Sequence, residues 1–153
     1  MERIKSFSIN HDVLVPGFYI SRVDGDVITY DLRTRKPNMG DYMSDLTMHS
    51  VEHMAATFAR NSQYKDSVIY FGPMGCQTGF YLLMRDNVTP METFELMKKI
   101  MKQIVEHDGP VFGASAKECG NYQCLDMEAA RKEAAYYLGV LEAQTNLEFT
   151  YPE

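Results

Sequence analysis

The chain has 153 residues, 45% of them hydrophobic, with a formal net charge of -6. That length suffices to bury one sizeable core and predicts a single domain over 1–153, while the acidic balance argues against nucleic acid or an anionic membrane surface as partner. No apolar run approaches the ~20 residues of a membrane span, and Met1-Glu2-Arg3-Ile4-Lys5 lacks the apolar core of a signal peptide, so the expected compartment is the cytoplasm.

From Phe7 to Tyr30 the chain is rich in Val, Ile, Tyr and Phe, broken at Pro16-Gly17 and Asp24-Gly25-Asp26, which predicts short strands joined by turns. His11, beside Asn10 and Asp12, reads by itself as a turn residue. Val27 to Arg33 is the clearest alternating strand, ended by Arg35-Lys36-Pro37-Asn38. Arg33, at its exit, reads as a solvated strand end unless a ligand claims it.

Met48-His49-Ser50-Val51-Glu52-His53 opens a helix running to about Arg60, with Asp45 or Thr47 as expected cap and an apolar stripe of Val51, Met54, Ala55 and Phe58. His49 and His53 fall four positions apart, one turn apart on one helix face, so both imidazoles can reach one metal ion. Glu52 flanks that face, where a carboxylate can move protons without ligating. H-x-x-E-H is the inverted form of the zinc-protease helix signature. The plain alternative is two surface histidines on an amphipathic helix.

Ser67–Phe71 and Phe80–Met84 read as buried strands around Gly72-Pro73-Met74-Gly75-Cys76-Gln77-Thr78-Gly79. Glycine crowding lets that backbone turn sharply, and a cysteine held there, partly exposed, is a usable base or nucleophile. Thr89-Pro90 with Glu92 starts the next helix, Phe94, Met97, Ile100, Met101, Ile104 and Val105 keep its spacing, and Gly109-Pro110 stops it. His107, in its last turn, reads as structural. A final helix, roughly Asp126 to Glu142, buries Ala130, Ala134, Tyr137, Leu138 and Leu141, and turns Arg131, Lys132, Glu133 and Glu142 to solvent. Several strands and three longer helices, not strictly alternating, predict an α+β fold: an antiparallel sheet packed against the helices.

Two histidines and one thiolate make an incomplete metal shell whose vacant position suits a catalytic ion. Three cysteines are an odd set that fits free thiols in a reducing compartment. Cys119 and Cys124 both qualify as the third ligand, which leaves Cys76 and Glu52 as proton shuttles. Such a kit fits proton abstraction next to a carbonyl, and it fits peptide hydrolysis too.

Taken in order, Ser6-Phe7 with His11, Asp31-Leu32-Arg33 with Lys36-Pro37-Asn38, His49-Ser50-Val51-Glu52-His53, Pro73-Met74-Gly75-Cys76-Gln77-Thr78-Gly79 and Cys119-Gly120 closely resemble the S-ribosylhomocysteine lyase family, the LuxS proteins. The resemblance implies cleavage of S-ribosylhomocysteine to homocysteine and 4,5-dihydroxy-2,3-pentanedione, the autoinducer-2 precursor. It implies His49, His53 and Cys119 as ligands of a ferrous ion that zinc or cobalt can replace, two aldose-to-ketose shifts with Cys76 and Glu52 exchanging the protons, and a closing β-elimination. It also implies a homodimer with the pocket at the interface, where Ser6, Phe7 and His11 come from the other chain and Arg33 binds substrate. Cys124 acquires no role. One departure stands out: the family places an acidic residue and a short polar segment before Pro-Met-Gly-Cys, where this chain has Tyr70-Phe71-Gly72. The rivals are a small metallopeptidase with Glu52 activating water, a non-catalytic metal-binding module, and a metal-free cysteine hydrolase pairing Cys76 with His11 or His107.

Overall fold

A computed structural model describes residues 1–153. Its elements, in chain order, are α1 (Lys5–Ser8), β1 (Gly17–Asp24), β2 (Val27–Arg33), α2 (Asp45–Arg60), a 3-10 turn (Lys65–Ser67), β3 (Val68–Pro73), β4 (Gly79–Arg85), α3 (Pro90–Glu106) and α4 (Met127–Ala143). The four strands form one antiparallel sheet in the order β1-β2-β4-β3. The α+β expectation is met, with α2, α3 and α4 as the three longer helices.

Alternation along the strands decides which face meets the helices. Phe18, Ile28, Tyr30, Leu32, Phe80, Leu82 and Met84 are buried and join Met54, Phe94, Met97, Ile100 and Tyr137 in one core cluster of 29 residues. The intervening residues, Tyr19, Asp31, Arg33 and Tyr81 among them, lie on the opposite face. Close strand approach explains Gly79, paired with Arg33, because a Cβ there would sit 2.6 Å from the Leu32 carbonyl oxygen.

Helix ends follow their caps. Thr89 and Glu92 form the reciprocal capping box of α3 with Pro90 at its first position. The cap of α2 is Ser44, whose side chain accepts from the Thr47 N–H, rather than Asp45 or Thr47. A second correction concerns the N-terminus, where strand was expected from Phe7. Lys5–Ser8 is one helical turn, and an Asx turn from Asp12 N–H to Asn10 Oδ1 redirects the chain before β1 begins at Gly17. High strand propensity at Phe7 finds no neighbouring strand to pair with.

Glu133 departs most from its expected place on a solvated face. It is 6% exposed and accepts two hydrogen bonds from Arg35, at 2.7 and 2.6 Å. This bidentate pair ties α4 to the segment after β2. Glu133→Gln is expected to lower unfolding free energy by about 2 kcal/mol in urea titration, because it strips the charge that partners a guanidinium only partly reached by water.

Candidate metal centre and neighbouring thiol

The buried residues of α2, including Met48, Val51, Met54 and Ala55, fix which way the helix faces and leave His49, Glu52 and His53 on a half-buried flank. Each imidazole is oriented by a backbone carbonyl. His49 Nδ1 lies 2.7 Å from the Cys124 oxygen, and His53 Nδ1 lies 2.7 Å from the Phe112 oxygen. A carbonyl only accepts, so each Nδ1 is the donor and each Nε2 is the ring nitrogen left for a ligand. The Cys119 sulfur stands 3.4 Å from His49 Nε2 and accepts from the Asn121 N–H, also at 3.4 Å. Ligand atoms of His49, His53 and Cys119 all fall within 4.8 Å of one another.

This donor set fits a divalent transition metal: two imidazoles each oriented through Nδ1 by a carbonyl, and one sulfur beside His49 Nε2. Of the two candidate cysteines, Cys119 is the one whose sulfur joins the cluster. Cys124 contributes its carbonyl to His49, and its sulfur lies outside the cluster. Gly113 permits the approach on the His53 side: its φ is +69°, and a Cβ there would stand 3.3 Å from His53 Nδ1. Glu52 is half-buried and engaged in no ion pair of the chain.

A second constellation lies at the ends of β2 and β4. Cys76 is exposed in the turn before β4, and its sulfur is 3.0 Å from Thr78 Oγ1 and 4.0 Å from Arg33 Nη1. Arg33 is no solvated strand end, being 1% exposed. Its Nε and Nη2 donate to the two oxygens of Asp31, at 3.0 and 2.5 Å, and its Nη1 donates to Thr78 Oγ1 at 2.8 Å. Burial works against the charge on Arg33, but the fully buried Asp31 carboxylate outweighs it and holds the guanidinium pKa above its ordinary value. A cation held by Asp31 and Thr78 therefore stands beside the Cys76 sulfur.

His11 and Cys76 line a common cavity of about 280 Å³ with Asn38, Tyr42 and Thr78. His11 Nδ1 lies 2.9 Å from the Ile9 oxygen, leaving its Nε2 free. Ser6 and Phe7 belong to neither group. Ser6 lines a separate recess of about 340 Å³ with Arg22, Tyr70 and Tyr81, and Phe7 is 70% exposed on α1. Tyr70 also folds over Gly72, since a Cβ there would overlap its ring. Asp31 and Thr78, both in contact with Arg33, were missed as site residues, although Asp31 stands two positions from Arg33 on one strand face, where period-2 reasoning could have found it.

The profile of the family S-Ribosylhomocysteinase (LuxS) matches residues 4–147. The S-ribosylhomocysteine lyase of Clostridium beijerinckii is 42% identical over 158 residues, covering 99% of this chain and 99% of the relative. The protein of the same name from Finegoldia magna is 40% identical over 157 residues, covering 100% of both, and that from Borreliella burgdorferi is 38% identical, covering 99% and 100%.

Proposed function

We propose, because this chain belongs to the S-ribosylhomocysteinase (LuxS) family, that it cleaves S-ribosylhomocysteine to homocysteine and 4,5-dihydroxy-2,3-pentanedione. The observation that carries the reading is the convergence of His49, His53 and Cys119, with both imidazole Nδ1 atoms committed to carbonyls, on a chain that also holds a thiol beside a buried arginine. A peptidase built on H-x-x-E-H has no use for that thiol.

His49, His53 and Cys119 would hold a ferrous ion, with zinc or cobalt able to replace it. When bound, the ion supplies Lewis acidity toward a carbonyl oxygen of the sugar. Cys76, as thiolate, removes a proton from the carbon beside the carbonyl and returns it to the neighbouring carbon, while Glu52 carries protons between the oxygens. Arg33 stabilises the thiolate form between transfers and binds substrate. Two such shifts bring the carbonyl next to the carbon that precedes the thioether carbon. A final abstraction there breaks a C–H and the C–S bond, forms a carbon–carbon double bond and releases the homocysteine thiolate, which takes up a proton. The two products together contain all the atoms of the substrate, so no water is consumed.

The protein acts as a homodimer in the cytoplasm, with Ser6, Phe7 and His11 of one chain completing the metal site of the other, His11 doing so from the cavity it shares with Cys76 of its own chain. The exposure of Ile4, Phe7, Val23 and Tyr70, at α1, β1 and β3, supports a covering partner. No helix is long and apolar enough to cross a membrane. The test is thiol release from S-ribosylhomocysteine by anaerobically prepared protein, followed by mixing inactive His11→Ala and His53→Ala chains. Sites shared across a two-fold predict that randomly mixed dimers recover about a quarter of wild-type activity, because half are heterodimers and each keeps one intact site. No thiol release by the wild type would refute the lyase reading, and no recovery on mixing would refute the shared site.

A further inference from the structure

Tyr151 lies beyond residues 4–147, the part that matches the family, and its surroundings are built. Phe149, with φ +60° and 2% exposure, plugs the tail into the core, packing its ring 5.2 Å from those of both Phe18 and Phe94. Its carbonyl accepts from the Ile20 N–H at 2.8 Å, and the Asn146 side chain donates to the Thr150 carbonyl at 2.8 Å. A non-glycine residue in the left-handed region persists only where neighbours over-determine it, and here they do. So anchored, the tail continues beside β1, where the Tyr151 ring stacks on Tyr19 with centroids 5.1 Å apart.

There the Tyr151 hydroxyl donates to Asp31 Oδ2 at 2.7 Å. Asp31 is the residue whose two oxygens hold Arg33, and Arg33 is the residue whose remaining nitrogen reaches Thr78 and Cys76. The chain of contacts is continuous from tail to thiol. Given Cys76 as the proton-moving group proposed above, we propose that Tyr151 is a positioning residue for Cys76, acting through Asp31 and Arg33.

The hydroxyl fixes the carboxylate, and the carboxylate fixes the guanidinium. A carboxylate without its third donor is less firmly fixed, and a guanidinium whose fork loosens no longer presents Nη1 to the sulfur. The ring of Tyr151 stacks on Tyr19, so Tyr151→Phe keeps that stack and removes the hydrogen bond alone. Burial and the Asp31 carboxylate together hold the Tyr151 hydroxyl pKa far above its ordinary value, so it stays a donor at every working pH.

The test compares metal-loaded wild type and Tyr151→Phe. Iodoacetamide alkylation of Cys76 is followed against pH, with the modified peptide identified by mass spectrometry so that Cys119 and Cys124 do not contribute. The expected result is a midpoint raised by on the order of 0.5–1 pH unit. Turnover of S-ribosylhomocysteine should show kcat lowered about 3- to 10-fold near neutral pH and recovering as pH rises, with KM within about 2-fold, following the lost thiolate fraction. An alkylation midpoint equal to that of the wild type overturns the proposal. A lowered melting temperature with an unmoved midpoint also overturns it, since that assigns Tyr151 to folding alone. A shifted midpoint in a protein that releases no thiol even as wild type would uphold the linkage to Cys76 and refute the lyase reading instead.

Discussion

Cys76→Ala is expected to lower thiol release from S-ribosylhomocysteine by about 10³-fold or more, within the range that a positioned proton-transfer group contributes. It should leave bound metal and melting temperature unchanged. Two features of the structure separate these outcomes. The Cys76 side chain is exposed, so truncating it leaves no buried void, and surface changes of this kind usually stay within about 0.5 kcal/mol. Arg33, the buried neighbour, keeps Asp31 and Thr78 as partners when the sulfur is gone, so no unpaired charge is left inside. The cluster proposed to hold the ion, His49, His53 and Cys119, does not include this thiol. Atomic metal analysis beside a thiol-titration assay reads both quantities on one preparation. Retained thiol release would remove Cys76 from the mechanism, and lost metal would move it into the ion's shell.

The helical and strand periodicities foretold most of the architecture, because each element carries its own local pattern. The α3 capping box is complete within Thr89–Glu92, and the stripe from Phe94 to Ile104 follows a single helical face. The proposed metal ligands divide by the same logic. His49 and His53 share a helix, so their spacing was a sufficient signal, whereas Cys119 converges only after the chain returns about seventy residues later, and composition alone left it level with Cys124. What the sequence could not show is long-range polar pairing. Glu133 looks like any helical surface acid until Arg35, 98 positions away, closes on it. Arg33 looks like a solvated strand end until Asp31 and Thr78 close on it, and Tyr151 carries no local cue, since its contact with Asp31 comes after Phe149 turns the backbone into a left-handed conformation. The N-cap at Ser44 instead of its neighbours is a smaller miss of the same origin: three polar residues compete within four positions, and backbone geometry selects one.

Removing a metal ligand is expected to have an effect as large as removing Cys76, with the opposite signature in metal content. His53→Ala and Cys119→Ala should each reduce bound ion from about one per chain to under a tenth and abolish thiol release, because two remaining donors cannot compete with buffer and water for a divalent ion. Chelation of the wild type should do the same, with activity restored by anaerobic addition of Fe²⁺. Loss of the ion should also lower the apparent melting temperature, since a ligand that binds only the native state stabilises it by mass action. The informative control is Cys124→Ala. Its sulfur is not among the three converging donors, and its contribution is the carbonyl that accepts from His49, which the substitution retains. Metal content in Cys124→Ala should therefore stay near one ion per chain and activity near that of the wild type. If instead Cys124→Ala were to lose the ion while Cys119→Ala kept it, the shell would be assembled from the other sulfur. The approach of Cys119 to His49 Nε2 at 3.4 Å would then be packing without coordination.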